Sequence, residues 1–338
     1  MPIVAPPGYR PPPLMGNGHL QTILPSLLRR VDGLSYRRER ITTPDGDFID
    51  LDWSHCGSPH LVLLCHGLEG SSQAPYMRGM ARAFNRAGWD AVAYNYRGCS
   101  GEINRRLRAY HSGATDDLGL VQRHVARGNR YASLGLVGFS LGGNLVLKSL
   151  GEDRRSLEAA PCWGAAISVP CDLRAGAERL DRAVNGIYNL RFLRTLKAKA
   201  RLKARRYPQH LDADRIAAIR SIKAYDDLYT APVHGFQDAE DYYRRCSARY
   251  FLSRIHLPTL IINALNDPFL DRTCYPFAEA RRNPFLFLET PSSGGHVGFL
   301  PRRLHGTFWH ESRVVQFALR YVPGPPPFPT LLRSASGR

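Results

Sequence analysis

The stretch LGLVGFSLGGN, residues 134–144, places one serine between glycines where an apolar run gives way to a helical pattern. The run up to Phe139 has the length and apolarity of a buried strand, and the residues after it recur at helical spacing. Gly-x-Ser-x-Gly at a strand-to-helix turn is typical of a nucleophile elbow, whose glycines let strand and helix approach closely. The pattern predicts that Ser140 is an exposed nucleophile at a helix N-terminus, where the helix dipole favours developing negative charge.

Apolar runs and helix-period segments alternate along most of the chain. Six runs predict strands, at 60–67, 89–98, 133–140, 164–170, 257–265 and 285–290. Helix-period segments lie at 76–87, 114–127 and 304–321. Runs that are apolar on both faces favour a mostly parallel, doubly wound sheet covered by helices. Residues 39–54 alternate around Pro-Asp-Gly, which predicts an antiparallel hairpin at the sheet edge.

Departures from this alternation predict four parts in the chain. Residues 1–38 are Pro-rich and then basic, which indicates an N-terminal arm lying over the domain. Residues 173–250 are helical in pattern, charged and too long for an ordinary crossover, so they predict a cap inserted over one end of the sheet. The α/β core then comprises 39–172 and 251–322, and the Pro-rich segment 323–338 is predicted to be a flexible tail.

The composition excludes several classes of protein. A length of 338 residues with 43% hydrophobic residues is ordinary for a globular α/β protein. The sequence begins without an apolar signal-like region, and its longest apolar runs fall short of the ~18 residues of a membrane span. Seven cysteines without a C-x-x-C pair indicate reduced thiols in a cytoplasmic protein. No metal-ligand spacing is present, and we expect neither a metal nor another cofactor.

The net charge of +17 is the most informative bulk property. It indicates either a solvated basic surface or one that attracts anionic lipid or acidic substrates. A specific nucleic-acid partner is not expected, because no helix-turn-helix, zinc-finger or RNP pattern accompanies the charge.

Residues 191–206 hold eight basic side chains and no acid. Within them, Leu193, Leu196, Ala200 and Ala204 recur at helical spacing, which predicts an apolar stripe facing the sheet or the pocket mouth. The remaining face would be densely cationic, as in helices that make peripheral contact with anionic membranes. A solvated helix without a partner is the alternative.

A serine hydroxyl attacks only when a histidine takes its proton and a carboxylate orients that histidine. In folds with a nucleophile elbow the chain order is serine, acid, histidine. Asp267 follows the fifth predicted strand, and His296 lies in a glycine-flanked loop after the last one. Parallel strands end at one edge of the sheet, so both can converge on Ser140. The competing acids are Asp172, at another strand end, and Asp271.

The negative charge that forms during such an attack needs two backbone donors. One is expected to be the N–H of Leu141, directly after the nucleophile, and the other the N–H of Leu68, in the loop after the first parallel strand. His66 is predicted to shape that loop rather than to exchange protons. A second pattern, His111 and Asp116 in H-x-x-x-x-D, is short, and Asp116 is better explained as a charge in the first turn of a helix.

Eight motifs extend over nearly the whole sequence: GNGHLQTILP (16–25), TPDGDFIDLDW (43–53), HGLEGSS (66–72), YRGCSGEINR (96–105), YHSG (110–113), GFSLGGN (138–144), NDPF (266–269) and GGHVGF (294–299). In these the sequence resembles the YheT-like branch of the α/β-hydrolase superfamily, AB hydrolase family 4. The resemblance implies an α/β-hydrolase fold and a cofactor-independent serine hydrolase with the triad Ser140, Asp267 and His296. Family members are described as carboxylesterases or lipases, so an acyl ester is the implied substrate.

The sequence thus predicts a serine esterase or lipase that works through an acyl-enzyme. The same residues would serve an acyltransferase, an ester synthase or a thioesterase, because an acyl-enzyme partitions according to the acceptor that reaches it. A non-enzymatic binding protein on the same fold is a further alternative. The presence of all three triad residues argues against that alternative.

Overall fold

Eight strands form one sheet in a computed structural model that describes residues 8–152, 161–301 and 306–321. Their order across the sheet is β1-β2-β4-β3-β5-β6-β7-β8. The strands are β1 Arg37–Thr42, β2 Phe48–Ser54, β3 His60–Cys65, β4 Asp90–Asn95, β5 Ser133–Phe139, β6 Trp163–Ile167, β7 Thr259–Ile262 and β8 Leu286–Glu289. Each of the six predicted apolar runs overlaps a strand, and the predicted hairpin is β1 and β2.

The sheet is parallel except at the hairpin edge. β1 pairs with β2 and β2 with β4 in antiparallel fashion, whereas the five pairings from β4 to β8 are parallel. Every residue of β5 is buried, and β5 lies between β3 and β6. The mostly parallel α/β fold with an antiparallel N-terminal hairpin is therefore confirmed. Because the parallel strands share one direction, β5, β7 and β8 deliver the residues that follow them to one edge.

Helices cover both faces of the sheet. The helices outside the region between β6 and β7 are α1 Gly18–Leu28, α2 Pro75–Arg86, α3 Thr115–Ala126, α4 Leu141–Gly151, α11 Phe277–Arg282 and α12 Trp309–Ala318. Met80 and Phe84 of α2 pack with Phe317 of α12 in the core on one face. Leu118 of α3 and Leu145 of α4 pack in the core on the other face. Burial of these apolar stripes holds the layers together.

Residues 173–250 form helices with a hydrophobic core of their own. The helices are α5 Leu173–Asp181, α6 Gly186–Arg206, α7 Ala213–Ala218, α8 Ile222–Tyr225, α9 Ala231–Val233 and α10 Ala239–Cys246, with a π-helical turn at Asp226–Thr230. Leu193, Leu196, Ala200 and Ala204, the predicted apolar stripe of α6, are all buried in that core.

The prediction that the rest of α6 is a cationic surface is wrong for three lysines. Lys197 Nζ donates to the Ala217 and Ile219 carbonyls. Lys199 Nζ pairs with a carboxylate of the core, and Lys203 is buried and donates to core carbonyls. A lysine stem is long enough to carry its ammonium past the edge of the apolar stripe. The exposed cations of α6 are Arg191, Arg194, Arg201, Arg205 and Arg206.

The predicted N-terminal arm contains a helix that the sequence analysis did not foresee. Helix α1 begins after Asn17, whose side chain accepts from the His19 and Leu20 N–H groups. It includes Pro25 and buries Gln21 completely. Glycines and a proline around this segment weaken any helical pattern, so only packing on the core fixes it. The predicted tail, 323–338, lies outside the described residues.

We expect Gly142→Ala to destabilise the protein by about 3 kcal/mol, because the added Cβ would overpack a site that backbone atoms already fill. A Cβ at Gly142 would lie 2.4 Å from the Cys65 carbonyl oxygen and 2.5 Å from that of His66. Gly186, at the start of α6, has no atom within 4 Å of its would-be Cβ, so Gly186→Ala should change stability by less than about 1 kcal/mol. Urea unfolding of both variants measures the difference, and equal stabilities would contradict the close approach.

Candidate active site

Ser140 occupies the turn between β5 and α4 in a strained backbone conformation. Its φ of 52° and ψ of −118° are unfavourable for a residue with a side chain. Three backbone hydrogen bonds hold it: its N–H donates to the Ile167 carbonyl, and its carbonyl accepts from the Gly143 and Asn144 N–H groups. The hydroxyl is therefore presented at the sheet edge, at the N-terminus of α4.

Glycines on both sides make this turn possible. A Cβ at Gly138 would lie 2.1 Å from the Gly142 carbonyl oxygen, closer than any non-bonded pair tolerates. Gly142 lies against the end of β3, where a Cβ would come within 2.4 Å of the Cys65 carbonyl oxygen and 2.5 Å of the His66 carbonyl oxygen. Strand β5, helix α4 and strand β3 therefore approach each other through backbone alone.

His296 and Asp267 form the hydrogen-bonded pair that the sequence predicts. Asp267 follows β7, is 3% exposed, and accepts the Phe269 N–H at 2.9 Å. His296 Nδ1 lies 2.8 Å from one carboxylate oxygen of Asp267 and 3.1 Å from the other. Because Nδ1 carries a proton and donates it in a hydrogen bond to the carboxylate, the other ring nitrogen, Nε2, is the one that can accept a proton.

Two residues that sequence reasoning missed hold the histidine loop in place. Thr22 Oγ1, on helix α1, accepts the His296 N–H at 2.9 Å. Ser168 Oγ, just after β6, accepts the Val297 N–H at 2.9 Å. Val297 has a φ of 60°, a conformation that a β-branched residue adopts only when its surroundings impose it. No local pattern marks Thr22, because its partner is 274 residues away.

The competing acids have other partners or lie elsewhere. Asp172 caps α5 by accepting the Ala175 N–H, and its other oxygen pairs with Arg249 at 2.6 Å. In the described part of the chain neither Asp172 nor Asp271 hydrogen-bonds to His296. The geometry thus supports Asp267 as the acid.

One cavity contains both Ser140 and His296. It encloses about 1110 Å³ of empty space, part of it open to solvent. No direct hydrogen bond joins the two side chains within the described residues. The core contributes to its wall Leu68, Ser140, Leu141, Phe269 and His296, and α5 and α6 contribute Leu173, Ala177, Leu180, Phe192 and Leu196. These side chains make much of the wall apolar, although Glu69, Lys199 and Lys203 also line the cavity.

The cavity also has aromatic and polar lining residues. It is lined by Tyr225, Tyr229, Asp226, Tyr242 and Tyr243. Burial raises the pKa of the Asp226 carboxyl to about 6, although the Thr230 and Tyr243 hydroxyls donate to it. The helices of 173–250 thus contribute both apolar and polar side chains to the cavity.

The predicted oxyanion donors also lie on this cavity. The N–H of Leu141 is the first of α4 and has no acceptor among the described residues, as expected at a helix N-terminus. Near Leu68, the Gly67 N–H donates to Tyr76 and the Glu69 N–H to Tyr110, both at 2.9 Å. The Leu68 N–H lies between these two bonds and has no acceptor in the described ranges. Both predicted donors are therefore available to a ligand.

His66 shapes the loop, as predicted. It is fully buried, Nδ1 lies 2.7 Å from the Gly67 carbonyl oxygen, and Nε2 accepts the Tyr96 N–H at 3.3 Å. Burial lowers the pKa of His66 to about 3, so the ring stays neutral. The Tyr96 hydroxyl donates to the His66 carbonyl at 2.9 Å, and Arg97 pairs with buried Asp117 at 2.7 Å. The segment from Tyr96 thus braces the loop that carries Leu68.

His111 and Asp116 do not form a second centre. Asp116 lies in the first turn of α3 and pairs with Arg108. His111 is half-buried and lies against His234, with ring centroids 4.5 Å apart. Among the described residues, no group of three or more His, Cys, Asp and Glu side chains is arranged to hold a metal ion. No helix in the same ranges has the length and apolarity to cross a membrane.

A nucleophile elbow and a histidine–aspartate pair at the carboxyl edge of a mostly parallel sheet define an α/β hydrolase. The family described as alpha/beta hydrolase fold matches residues 60–302, and the chain belongs to it. It is 40% identical to the Escherichia coli (strain K12) protein named "Putative esterase YheT", over 90% of this chain and 91% of that protein. The predicted resemblance to the YheT-like branch is confirmed.

More distant relatives also have hydrolase names. Human phospholipase ABHD3 is 31% identical over 86% of this chain and 73% of its own length. Human monoacylglycerol lipase ABHD2 is 27% identical over 92% of this chain and 79% of its own length. A crystal structure of Pyrococcus furiosus esterase Pf2001 superposes with a TM-score of 0.58 at 18% identity, covering 86% of this chain and 91% of that one, which shows the shared fold. The chain is thus an enzyme of the esterase and lipase type.

Asp267→Asn should lower ester turnover roughly 10³-fold, because an asparagine cannot hold His296 in the tautomer that accepts a proton at Nε2. Asp172→Asn should retain at least about a third of the activity, since that residue acts only as a helix cap and an ion-pair partner. Steady-state hydrolysis of p-nitrophenyl butyrate by the two variants makes the comparison. The reverse order of activities would move the acid to Asp172.

Proposed function

We propose that this enzyme cleaves carboxylic esters of the acyl or lipid type through an acyl-enzyme, with Ser140 as nucleophile. The observation that carries the proposal is the strained elbow of Ser140 opening on the same cavity as the hydrogen-bonded His296–Asp267 pair. The enzyme needs no cofactor for this chemistry. We also propose a cytoplasmic location, which the seven unpaired cysteines support.

Acylation begins when Ser140 Oγ attacks the carbonyl carbon of the ester and His296 Nε2 takes the hydroxyl proton. The carbonyl oxygen becomes an oxyanion, which the Leu68 and Leu141 N–H groups stabilise. When the tetrahedral intermediate collapses, the carbon–oxygen bond to the alcohol breaks and His296 gives its proton to the departing alkoxide. Asp267 stabilises the imidazolium throughout.

Deacylation repeats these steps with water. His296 takes a proton from a water molecule, whose oxygen attacks the acyl carbon and forms a second oxyanion in the same site. Collapse releases the carboxylic acid and returns the proton to Ser140 Oγ. The helix dipole of α4 favours the negative charge in both steps.

The shape and lining of the cavity support an acyl ester as substrate. Its apolar part, between core and cap, is suited to a hydrocarbon chain because burial of apolar surface there is favourable. The names of the relatives, an esterase, a phospholipase and a monoacylglycerol lipase, are in line with this substrate class.

Ser140→Ala and His296→Ala should each reduce hydrolysis of p-nitrophenyl esters by roughly 10³-fold or more, since the two side chains act as a unit. The double variant should be scarcely worse than either single one. A panel of esters of graded chain length, measured by release of p-nitrophenol, tests this for the whole substrate class. Retention of most activity by Ser140→Ala would overturn the proposal.

We further propose peripheral contact with anionic membranes through the outer face of α6. Val184, Ile187 and Leu190, at and just before the start of α6, are 66%, 77% and 71% exposed. The exposed arginines Arg191 and Arg194 follow them on the same helix. Exposed aliphatic side chains beside a cationic face are suited to an anionic membrane, whose headgroups are negative and whose interior is apolar. The inner face of α6 lines the cavity, so such contact would place the cavity near lipid.

Binding to vesicles of phosphatidylglycerol and phosphatidylcholine should exceed binding to phosphatidylcholine alone. It should weaken between low salt and ~0.15 M, where the Debye length falls to about 8 Å. Reversing Arg191, Arg194 and Arg201 to Glu should remove the preference while leaving p-nitrophenyl butyrate hydrolysis intact. Co-sedimentation with vesicles measures the binding.

A matched control separates local contact from total charge. Reversing Arg281, Arg282 and Arg320, which are exposed on α11 and just after α12, changes the net charge equally. This control should retain the vesicle preference. Equal binding of the unmutated protein to both vesicle types would instead support a solvated helix without a partner.

A further inference from the structure

We propose that Lys199 of the cap is a positioning residue for the oxyanion site, acting through Glu69 on the neighbouring Leu68 N–H. The proposal rests on the proposed function, because it assigns the Leu68 N–H to the oxyanion. The position of helix α6 would then affect the catalytic geometry as well as substrate binding.

Glu69 is the strained residue of the loop after β3 that carries the Leu68 N–H, here called the oxyanion loop. Its φ of 52° lies in the left-handed region, where a residue with a side chain stays only if its surroundings hold it. The peptide that joins Leu68 to Glu69 therefore depends on what fixes Glu69. The Leu68 N–H lies in the preceding peptide, between Gly67 and Leu68, whose carbonyl oxygen accepts the Gly70 N–H at 3.0 Å. Glu69 is a central residue of that turn, so a change in its backbone conformation would open the turn and reorient the Leu68 N–H.

Tyr110 holds Glu69 at two points. The Tyr110 hydroxyl accepts the Glu69 N–H at 2.9 Å and donates to Glu69 Oε1 at 2.7 Å. This closed arrangement works only while the Glu69 carboxylate stays beside its own backbone. The position of the side chain and the conformation of the loop are thus linked.

Lys199 supplies the charge that keeps the carboxylate there. Its Nζ lies 3.0 Å from the Glu69 carboxylate, whose side chain is only 5% exposed. Lys199 is the one cation in ion-pair contact with Glu69 among the described residues. A buried carboxylate without a cation is strongly unfavourable, so the pair holds both partners in place.

A second contact of Lys199 also fixes its position. Nζ lies 3.3 Å from Sγ of Cys99, in the segment that braces the oxyanion loop. Burial raises the pKa of the Cys99 thiol to about 12, so the sulfur is a neutral neighbour. Burial opposes the charge of Lys199, but the Glu69 carboxylate and the hydrogen bond to the Cys99 sulfur keep its pKa above the ordinary value. The Lys199 ammonium is therefore charged. It links helix α6 to the oxyanion loop and to the bracing segment.

The test compares Lys199→Met and Glu69→Gln with the unmutated enzyme on p-nitrophenyl acetate, a substrate too short to depend on the cap for binding. Losing one oxyanion donor outright costs about 10²- to 10³-fold, so a displaced donor should lower kcat by roughly 10- to 100-fold. KM should change less than about threefold, since the ground state carries no oxyanion. Lys199→Arg should restore kcat to within about fivefold, because it keeps the charge near Glu69.

Lys199→Met should be more harmful than Glu69→Gln, because it leaves a buried carboxylate unpaired. The double variant should therefore return to the activity of Glu69→Gln alone. Lys197→Met is the matched control: it removes the same charge from the same helix, but its Nζ bonds only cap carbonyls, so kcat should stay unchanged.

Inhibition by a trifluoromethyl ketone gives an independent readout. Ser140 Oγ adds to its carbonyl carbon while His296 Nε2 takes the hydroxyl proton, which leaves an anionic hemiketal whose oxygen occupies the oxyanion site. Its Ki should rise in Lys199→Met by the factor by which kcat/KM falls, whereas a mere loss of folded protein would leave Ki unchanged. Unchanged kcat and Ki in Lys199→Met, with the unmutated enzyme active and Ser140→Ala inactive, would overturn this inference and leave the proposed function standing.

Discussion

The close backbone approach between strand β5 and helix α4 is the constraint on which the rest of the site depends. Gly138 and Gly142 leave no room for a Cβ, so the chain must turn sharply between them and hold Ser140 at a φ of 52°. That turn fixes the hydroxyl and the first N–H of α4 together. The proposed nucleophile and one proposed oxyanion donor are thereby set by the same few bonds, and the remaining groups need only be brought to them.

The remaining groups are brought by loops that depend on distant parts of the chain. The histidine loop rests on Thr22 from the arm and on Ser168 from the neighbouring strand end. The loop that carries Leu68 rests on Tyr110 and on Lys199 of helix α6. Loops have little stability of their own, so a site that needs sub-ångström placement takes its rigidity from the elements that pack over it.

The sequence predicts the parts of this site that are local. A buried strand followed by Gly-x-Ser-x-Gly predicts the elbow, and strand ends on one sheet edge predict that Asp267 and His296 converge. The choice between Asp267 and Asp172 needs the structure, since both follow strands and only contacts distinguish them. Thr22, Glu69 and Lys199 could not be found, because each acts through a partner far away in sequence. Periodicity likewise located the apolar stripe of α6 but not the lysines that reach around it.

The bond between Thr22 and His296 joins residues 274 positions apart, and that has a consequence for biosynthesis. During translation the arm and the serine turn leave the ribosome long before the histidine loop does. Contacts of such long range form last, since closing them requires most of the chain. With Ser140 and His296 in the proposed roles, the nascent polypeptide carries an unactivated serine until synthesis is almost complete. A truncated product that ends before residue 296 would then have the proposed nucleophile without its base.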